Sequence, residues 1–201
     1  MLRDMMNGNK PDSLSNRYRR SRFALLLDLL AEFEPPVRIL DVGGVHHYWQ
    51  AMELEHLPEC HITFLNQWSD DTESPIPNTR YSQGDGRSMP QFGDNEFDVA
   101  FSNSVIEHVG GLRDQKRMAE EVMRIGKSYI VQTPNRHFPI EAHFHLPYFQ
   151  YYPLKLRALL HSRFRLGWWD QAEDWFAALE EVESIRLINR AEFGYLFWHV
   201  V

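Results

Sequence analysis

The sequence predicts one α/β domain spanning 1–201, a mainly parallel sheet with flanking helices, and three observations carry that expectation. The run Val37-Arg38-Ile39-Leu40-Asp41-Val42 is apolar and β-branched, as a buried parallel strand would be, and it ends directly in Gly43-Gly44. Further short runs at 61–65, 81–83, 97–102 and 129–132 read as strands, with a helix-period stretch at 112–125 before the last of them. The chain has 201 residues, 43% hydrophobic and 24% charged, enough for one domain with a complete core and unlike a disordered chain.

Taken in order, residues 1–12 are polar and expected to be flexible. Over 13–33 the residues Phe23, Leu26, Leu27 and Leu30 recur at i, i+3, i+4 and i+7, which is a helix with one buried face. Pro35-Pro36 ends it. The first strand and its glycine turn follow, and HHYWQAMELEHL reads as the next helix. The strand at 61–65 ends at Asn66. An acidic, proline-punctuated loop, SDDTESPIPNT, leads to the short strand at 81–83 and then to Gly84-Asp85-Gly86. The strand at 97–102 is followed by Asn103-Ser104-Val105-Ile106-Glu107-His108-Val109, at the carboxyl end where open parallel sheets bind ligands.

The helix at 112–125 places Leu112, Ala119, Val122 and Ile125 on one side, with Gly126 as its stop. The strand at 129–132 ends at Thr133-Pro134. Aromatics and prolines then dominate 135–153, NRHFPIEAHFHLPYFQYYP, a composition expected of an ordered lid rather than a free linker. Helical pieces are expected at 154–161 and 172–180, and no internal repeat is present.

Charge and cysteine content narrow the function classes. A net charge of −7 and a pI near 5.8 argue against a nucleic-acid binder held by phosphate contacts. The basic group Arg17, Arg19, Arg20 and Arg22 lies on the predicted first helix, as a solvated face or as a contact for an anionic substrate. Cys60 is the sole cysteine, which excludes an internal disulfide and a cysteine-based zinc site. The most apolar run, FALLLDLLAEF, is short and interrupted by Asp28, so neither a membrane span nor a signal peptide is read and a cytoplasmic location is expected.

The residues at the strand ends suggest the chemistry. A carboxylate before a glycine turn would repel a pyrophosphate, whereas Asp41 suits a positively charged ligand such as the amino and sulfonium groups of S-adenosylmethionine. Asn66 stands where nucleoside-binding folds reach the ribose and offers an acceptor and a donor. Asp85 can accept from an exocyclic adenine amine, or it is simply an Asp-Gly turn. Glu107 and His108 lie in the ligand zone, although a histidine that caps or packs fits equally well. Glu141, His143 and His145 alternate, so an extended segment would point them one way. Metal ligation, catalysis, substrate orientation and structural hydrogen bonding all remain open for them, and the spacing assigns no metal. A nicotinamide-dependent oxidoreductase is disfavoured by Asp41, by the missing third glycine and by Asn66 where an acid would hold the ribose.

Assembled, the chain resembles the class I S-adenosylmethionine-dependent methyltransferases, and more narrowly a bacterial small-molecule branch. Three blocks carry the likeness: Leu40-Asp41-Val42-Gly43-Gly44; Phe97-Asp98-Val99-Ala100-Phe101-Ser102 running on to Gly110; and Val131 to His143. It covers about 15–195. The resemblance implies a Rossmann-like fold and a methyltransferase with S-adenosylmethionine as cofactor. It implies that Asp41, Gly43 and Gly44 hold the methionine end, with Asn66 at the ribose, Asp85 near the adenine, and Ser102, Asn103 and Ser104 lining the floor.

A hydroxyl acceptor needs a base, for which His108, Glu141, His143 and His145 are the candidates. The implied acceptor is a small molecule of glycan or lipid type; a truncated, catalytically weak relative that binds a nucleoside or a partner is the alternative. Two departures stand out. His46 and His47 follow the glycines where a small residue or proline is usual, and the antiparallel hairpin that normally closes the fold after the fifth strand is not read. The apolar stretch from Tyr195 to Val201 is instead expected to add as an edge strand, to its own sheet or to that of a second copy in a homodimer.

Overall fold

The computed structural model describes residues 14–50, 59–68 and 76–197. The expected flexible start, residues 51–57 of the second helix, most of the acidic loop and the last four residues lie outside them, as do the side chains of Arg17, Arg19, Arg20 and His47. The described elements are α1 (Leu14–Leu30), β1 (Val37–Val42), α2 (His46–Gln50), β2 (Cys60–Asn66), β3 (Thr79–Gln83) and β4 (Phe97–Asn103), then α3 (Leu112–Ile125), β5 (Gly126–Gln132), α4 (Leu154–Arg163), α5 (Trp175–Glu183) and α6 (Arg190–Leu196). Backbone packing divides the chain into two compact units, 1–103 with 121–131 and 104–120 with 132–201.

The first unit holds the sheet, in the order β3-β2-β1-β4-β5. β1 pairs in parallel with β2 and with β4, and β2 pairs in parallel with β3. β1 is apolar almost throughout because it is covered on both faces, which is why it reads as a continuous run rather than an alternation. Phe23, Leu26 and Leu30 of α1 pack with Val37, Ile39, Ile62, Phe64, Val99 and Phe101, each burial stabilising by roughly 1.5–3 kcal/mol. This is the face that the i, i+3, i+7 spacing predicts. The buried side chains of α3 are Gln115, Met118, Ala119, Val122 and Ile125; Leu112, expected on that side, is exposed. Near the end of α3, Arg124 donates to both Glu121 oxygens, to Asp94 and to the carbonyls of Phe92 and Met89, which fixes the loop before β4.

The second unit has its own core, in which Phe144 and Phe149 pack with Ala158, Leu166, Ala172, Ala178 and Val182. The aromatic segment at 135–153 is therefore ordered, as its composition predicts. It is not extended, however. Glu141 accepts from the amide of His145 at 3.0 Å, Tyr148 donates back to Pro139 at 2.7 Å, and His145 and Tyr148 take left-handed φ values of 55° and 53°. The expectation that alternate residues here point one way fails because the chain turns within five residues.

The edge strand expected over 195–201 is corrected at Tyr195 and Leu196, which close α6, while residues 198–201 of it lie outside the described residues. Asn189 accepts from the amide of Glu192 while Glu192 accepts from the amide of Asn189. This reciprocal cap satisfies the first turn and outweighs the aromatic, strand-like composition of Tyr195-Leu196-Phe197.

Gly126 both ends α3 and opens β5. A Cβ there would lie 2.6 Å from the Ser128 carbonyl oxygen and 2.9 Å from the Ala100 amide nitrogen. Backbone atoms yield little, so Gly126→Ala is expected to destabilise by about 1–3 kcal/mol, read as a lower urea midpoint at unchanged slope.

Candidate active site

In the first unit the site residues gather at the carboxyl end of β1. Gly43 turns the chain with φ 76°, and its amide donates to Leu65 at 2.7 Å. Asp41 is 1% exposed. Its Oδ2 accepts from the indole N–H of Trp49 at 2.6 Å, while its Oδ1 is buried with no partner. Burial pushes the Asp41 carboxyl up to about 7, against the opposing pull of the Trp49 bond. The indole is itself held by an aromatic cluster, with ring centroids 6.1 Å from Phe23 and 5.7 Å from Phe101. Gly44 leaves room for the carboxylate: a Cβ on it would lie 1.8 Å from Asp41 Oδ2.

The other expected cofactor residues are nearby but already engaged. Asn66 donates from Nδ2 to the Gly44 carbonyl at 2.7 Å. Asp85 is gripped by Arg87, with guanidinium contacts at 2.6 and 3.0 Å, and this bonding is the main reason its carboxyl lies below the usual range. Ser102 is fully buried and donates to the Val42 carbonyl at 3.1 Å, tying β4 to β1 where the glycine turn begins. Asn103 closes β4. His46, one of the two histidines after the glycines, lies 3.0 Å from the Tyr81 hydroxyl through its Nδ1.

In the second unit a separate cluster forms from the turn at Ile106–His108 and the lid segment. Glu141 accepts from the amides of His143 and Phe144 at 2.8 and 2.6 Å, and from His143 Nδ1 at 2.8 Å. Burial alone would raise its carboxyl, but the His143 contacts and the Phe144 amide outweigh it and hold Glu141 below the usual range. An ionised Glu141 fixes the proton on Nδ1, so Nε2 of a neutral His143 presents its lone pair. That nitrogen lies 3.8 Å from Oε1 of Glu107, which is fully buried. Glu107 Oε2 accepts from Thr133 at 2.9 Å, its Oε1 has no hydrogen-bond partner, and burial pushes its carboxyl up.

His108 completes the group, its ring perpendicular to that of His143 at 5.0 Å between centroids. His108 keeps an exposed edge, yet partial desolvation of its ring, then the neighbouring His143, push its imidazolium below its usual range. The turn bearing Glu107 is braced by Gln115, which donates to the carbonyls of Ile106 and Arg186, and by Arg186, whose amide donates to the Glu107 carbonyl.

Sequence reasoning places Ser104 beside Asn103, yet Ser104 belongs to the second unit, where its φ is 59° and its amide donates to Gln132. His108, Glu141 and His143 come together. His145 does not join them: its ring packs edge-on against Trp168 at 4.8 Å. Trp49, Thr133 and Gln115 lack any motif signal, and only the pairing of a buried acid with an indole eight residues on could have suggested Trp49.

Two outcomes are expected. Gly44→Ala displaces the carboxylate from the indole, lowering stability and shifting the tryptophan emission. Asp41 has a folded pKa of about 7 against an ordinary 3.8, so the stability of its neutral form is intact below pH 4 and lost as pH rises through 7. Asp41→Asn escapes that loss. Its thermal or urea stability relative to the parent should grow from pH 4 to 7 and level off above, with a ceiling of about 4 kcal/mol.

A Methyltransferase domain description matches residues 54–129. Two uncharacterized proteins of Mycobacterium tuberculosis, from strains CDC 1551 / Oshkosh and ATCC 25618 / H37Rv, are each 38% identical over 68 residues, 34% of this chain and 23% of theirs. The chain thus spans less than a quarter of the length of the curated relatives it matches. Among solved structures, a S-adenosylmethionine-dependent methyltransferase from Methanosarcina mazei is 18% identical, covering 48% of this chain and 50% of that one, at a TM-score of 0.36. CalS10, an amino pentose methyltransferase from Micromonospora solved with S-adenosylmethionine, is 15% identical over 58% of this chain and 51% of its own, at 0.42. A methyltransferase domain match from residue 54 to 129, beside a five-stranded sheet ordered β3-β2-β1-β4-β5, makes this part of the chain similar to S-adenosylmethionine-dependent methyltransferases.

Proposed function

We propose that the chain transfers a methyl group from S-adenosylmethionine to a small-molecule acceptor of glycan or lipid type, in the cytoplasm. The observation that carries this reading is the unpartnered, buried Oδ1 of Asp41 beneath the glycine turn. A buried carboxylate short of one partner is suited to an ammonium group. No helix among the described residues is long and apolar enough to cross a membrane.

The bound cofactor would supply an activated methyl on a sulfonium, so the residues have mainly to position the reactants, an effect worth roughly 7–11 kcal/mol. Asp41 would pair the amino group, and Gly43 and Gly44 would let the backbone approach. Asn66 would offer Oδ1 to a ribose hydroxyl. Asp85 would share its carboxylate between Arg87 and an adenine amine, while Ser102, Asn103 and Ser104 would form the floor. On the acceptor side His143 would take the hydroxyl proton on Nε2, its tautomer held by Glu141, with His108 beside it. His145, packed on Trp168, would position the loop rather than touch the acceptor.

Calorimetry with S-adenosylhomocysteine is expected to give one site, weakened tenfold or more in Asp41→Ala; tighter binding of NAD would overturn the assignment. Binding to a neutral Asp41 below pH 7 should also release a proton, seen as a buffer-dependent heat that disappears in Asp41→Asn. In an acceptor screen, His143→Ala should keep cofactor affinity within about twofold and lose 10²- to 10⁴-fold in turnover, the range for a general base. Cofactor binding without turnover on any acceptor would instead favour a binding-only relative.

A further inference from the structure

We infer that Glu107, His108 and His143 form a binding site for one divalent transition-metal ion. Each offers one ligand atom, and all three atoms lie within 4.8 Å of one another. The facing pair, Glu107 Oε1 and His143 Nε2, stand 3.8 Å apart, slightly wider than two ligands sharing a tetrahedral zinc at the usual ~2.0–2.2 Å. A small inward movement of either side chain closes that difference.

Proximity alone would not make a site, and a second observation points to a ligand. Glu107 is 0% exposed and its Oε1, directed at His143, has no hydrogen-bond partner. A buried acceptor without a donor is costly unless something cationic or protic completes it. Nothing among the described side chains does so from that side, since Thr133 holds the other oxygen.

The surroundings match what a metal-binding histidine needs. A ligating imidazole commonly donates its remote N–H to a carboxylate, which fixes the tautomer and raises the basicity of the metal-facing nitrogen. His143 does this to Glu141 at 2.8 Å, and the amides of His143 and Phe144 anchor Glu141 in turn. Charge also balances: a dication, with Glu107 as ligand and Glu141 behind His143, sums to neutral. Two imidazoles with one carboxylate favour zinc, iron or cobalt over magnesium or calcium, which prefer all-oxygen sets. His108 is exposed, which leaves an entry path and an open position on the ion for water or an acceptor oxygen. An ion on Nε2 takes the lone pair that would otherwise receive a proton; lowering the pKa of an ion-bound hydroxyl then replaces that role.

The site does not depend on methyl transfer, and its test needs neither cofactor nor acceptor. The untagged full chain, stripped with chelator, is titrated with Zn²⁺ by calorimetry and with Co²⁺ by visible absorption. One saturable equivalent is expected, with cobalt bands typical of nitrogen and oxygen ligation. Glu107→Gln, which preserves shape and the Thr133 contact, and His143→Ala should each weaken uptake at least tenfold. His108→Ala, at an exposed position that tolerates truncation, should weaken it as well, while His137→Ala should leave it unchanged. Absence of saturable uptake by the parent chain, or equal uptake by the parent and by folded Glu107→Gln and His108→Ala variants, would overturn the assignment.

Discussion

The arrangement of the first unit depends on the bond between the Asp41 carboxylate and the Trp49 indole. Burying a carboxylate costs several kcal/mol, and one neutral donor offsets only part of that. The indole can serve because Phe23, Tyr48 and Phe101 meet it edge-on, so it has little freedom to lose on bonding. The carboxylate in turn occupies the space that a Cβ on Gly44 would take, so glycine at 44 is required by the acid as much as by any ligand. Asn66 then fixes the Gly44 carbonyl from the neighbouring strand. Acid, indole, glycine and amide thus form one constraint, and altering any of them moves the others.

The second unit solves a different problem, holding a histidine in one tautomer on a chain segment with no regular secondary structure. Its device is a turn. Glu141 accepts two backbone amides from the residues just after it, as a helix-capping acid would, and the same carboxylate takes the imidazole N–H. His145 and Tyr148 pay about 1–3 kcal/mol each for left-handed backbone conformations. Gly167 lies against this turn, where a Cβ would meet the His143 carbonyl at 2.1 Å. Such close support is what a positioned side chain on a loop needs, since loops otherwise lack the rigidity of helices and strands.

Most of the sheet was legible because its signals are local. β1 and β4 are apolar runs buried on both faces, and α1 has an unbroken helical period. β5 was read three residues short because Gly126-Lys127-Ser128 has the composition of a loop, and its pairing comes from tertiary context. Tyr195 and Leu196 lie in α6 rather than in the expected edge strand because the Asn189…Glu192 cap, present in the sequence at the correct spacing, outweighs their aromatic composition. At the candidate site, Asp41, His108, Glu141 and His143 stand out from their position relative to strand ends. Glu107 was noted, but its partner was not, since the contact joins residues 36 positions apart and no periodicity links them. Trp49 was hidden for a related reason: an aromatic at helical spacing reads as core, and its N–H is silent until the geometry is known.

The buried carboxylates can be ordered by the donors each one has. Glu141 has three and is held ionised despite its burial. Asp41 has one, from Trp49, and Glu107 is helped by Thr133 and by its own backbone amide; in both, burial prevails and the carboxyl is pushed up. All three are buried, and what separates Glu141 is the His143 imidazole, which both donates to it and favours its charge, together with the two backbone amides. A carboxylate that the fold leaves one partner short is a standing cost, and it is recovered only when a cation or a donor arrives from outside. Asp41 in the first unit and Glu107 in the second each keep one such oxygen, the first below a glycine turn and the second facing an imidazole lone pair. The chemistry beside each oxygen then separates the two ligands: an ammonium can donate to Asp41, whereas beside Glu107 the imidazoles supply further lone pairs that suit a metal ion.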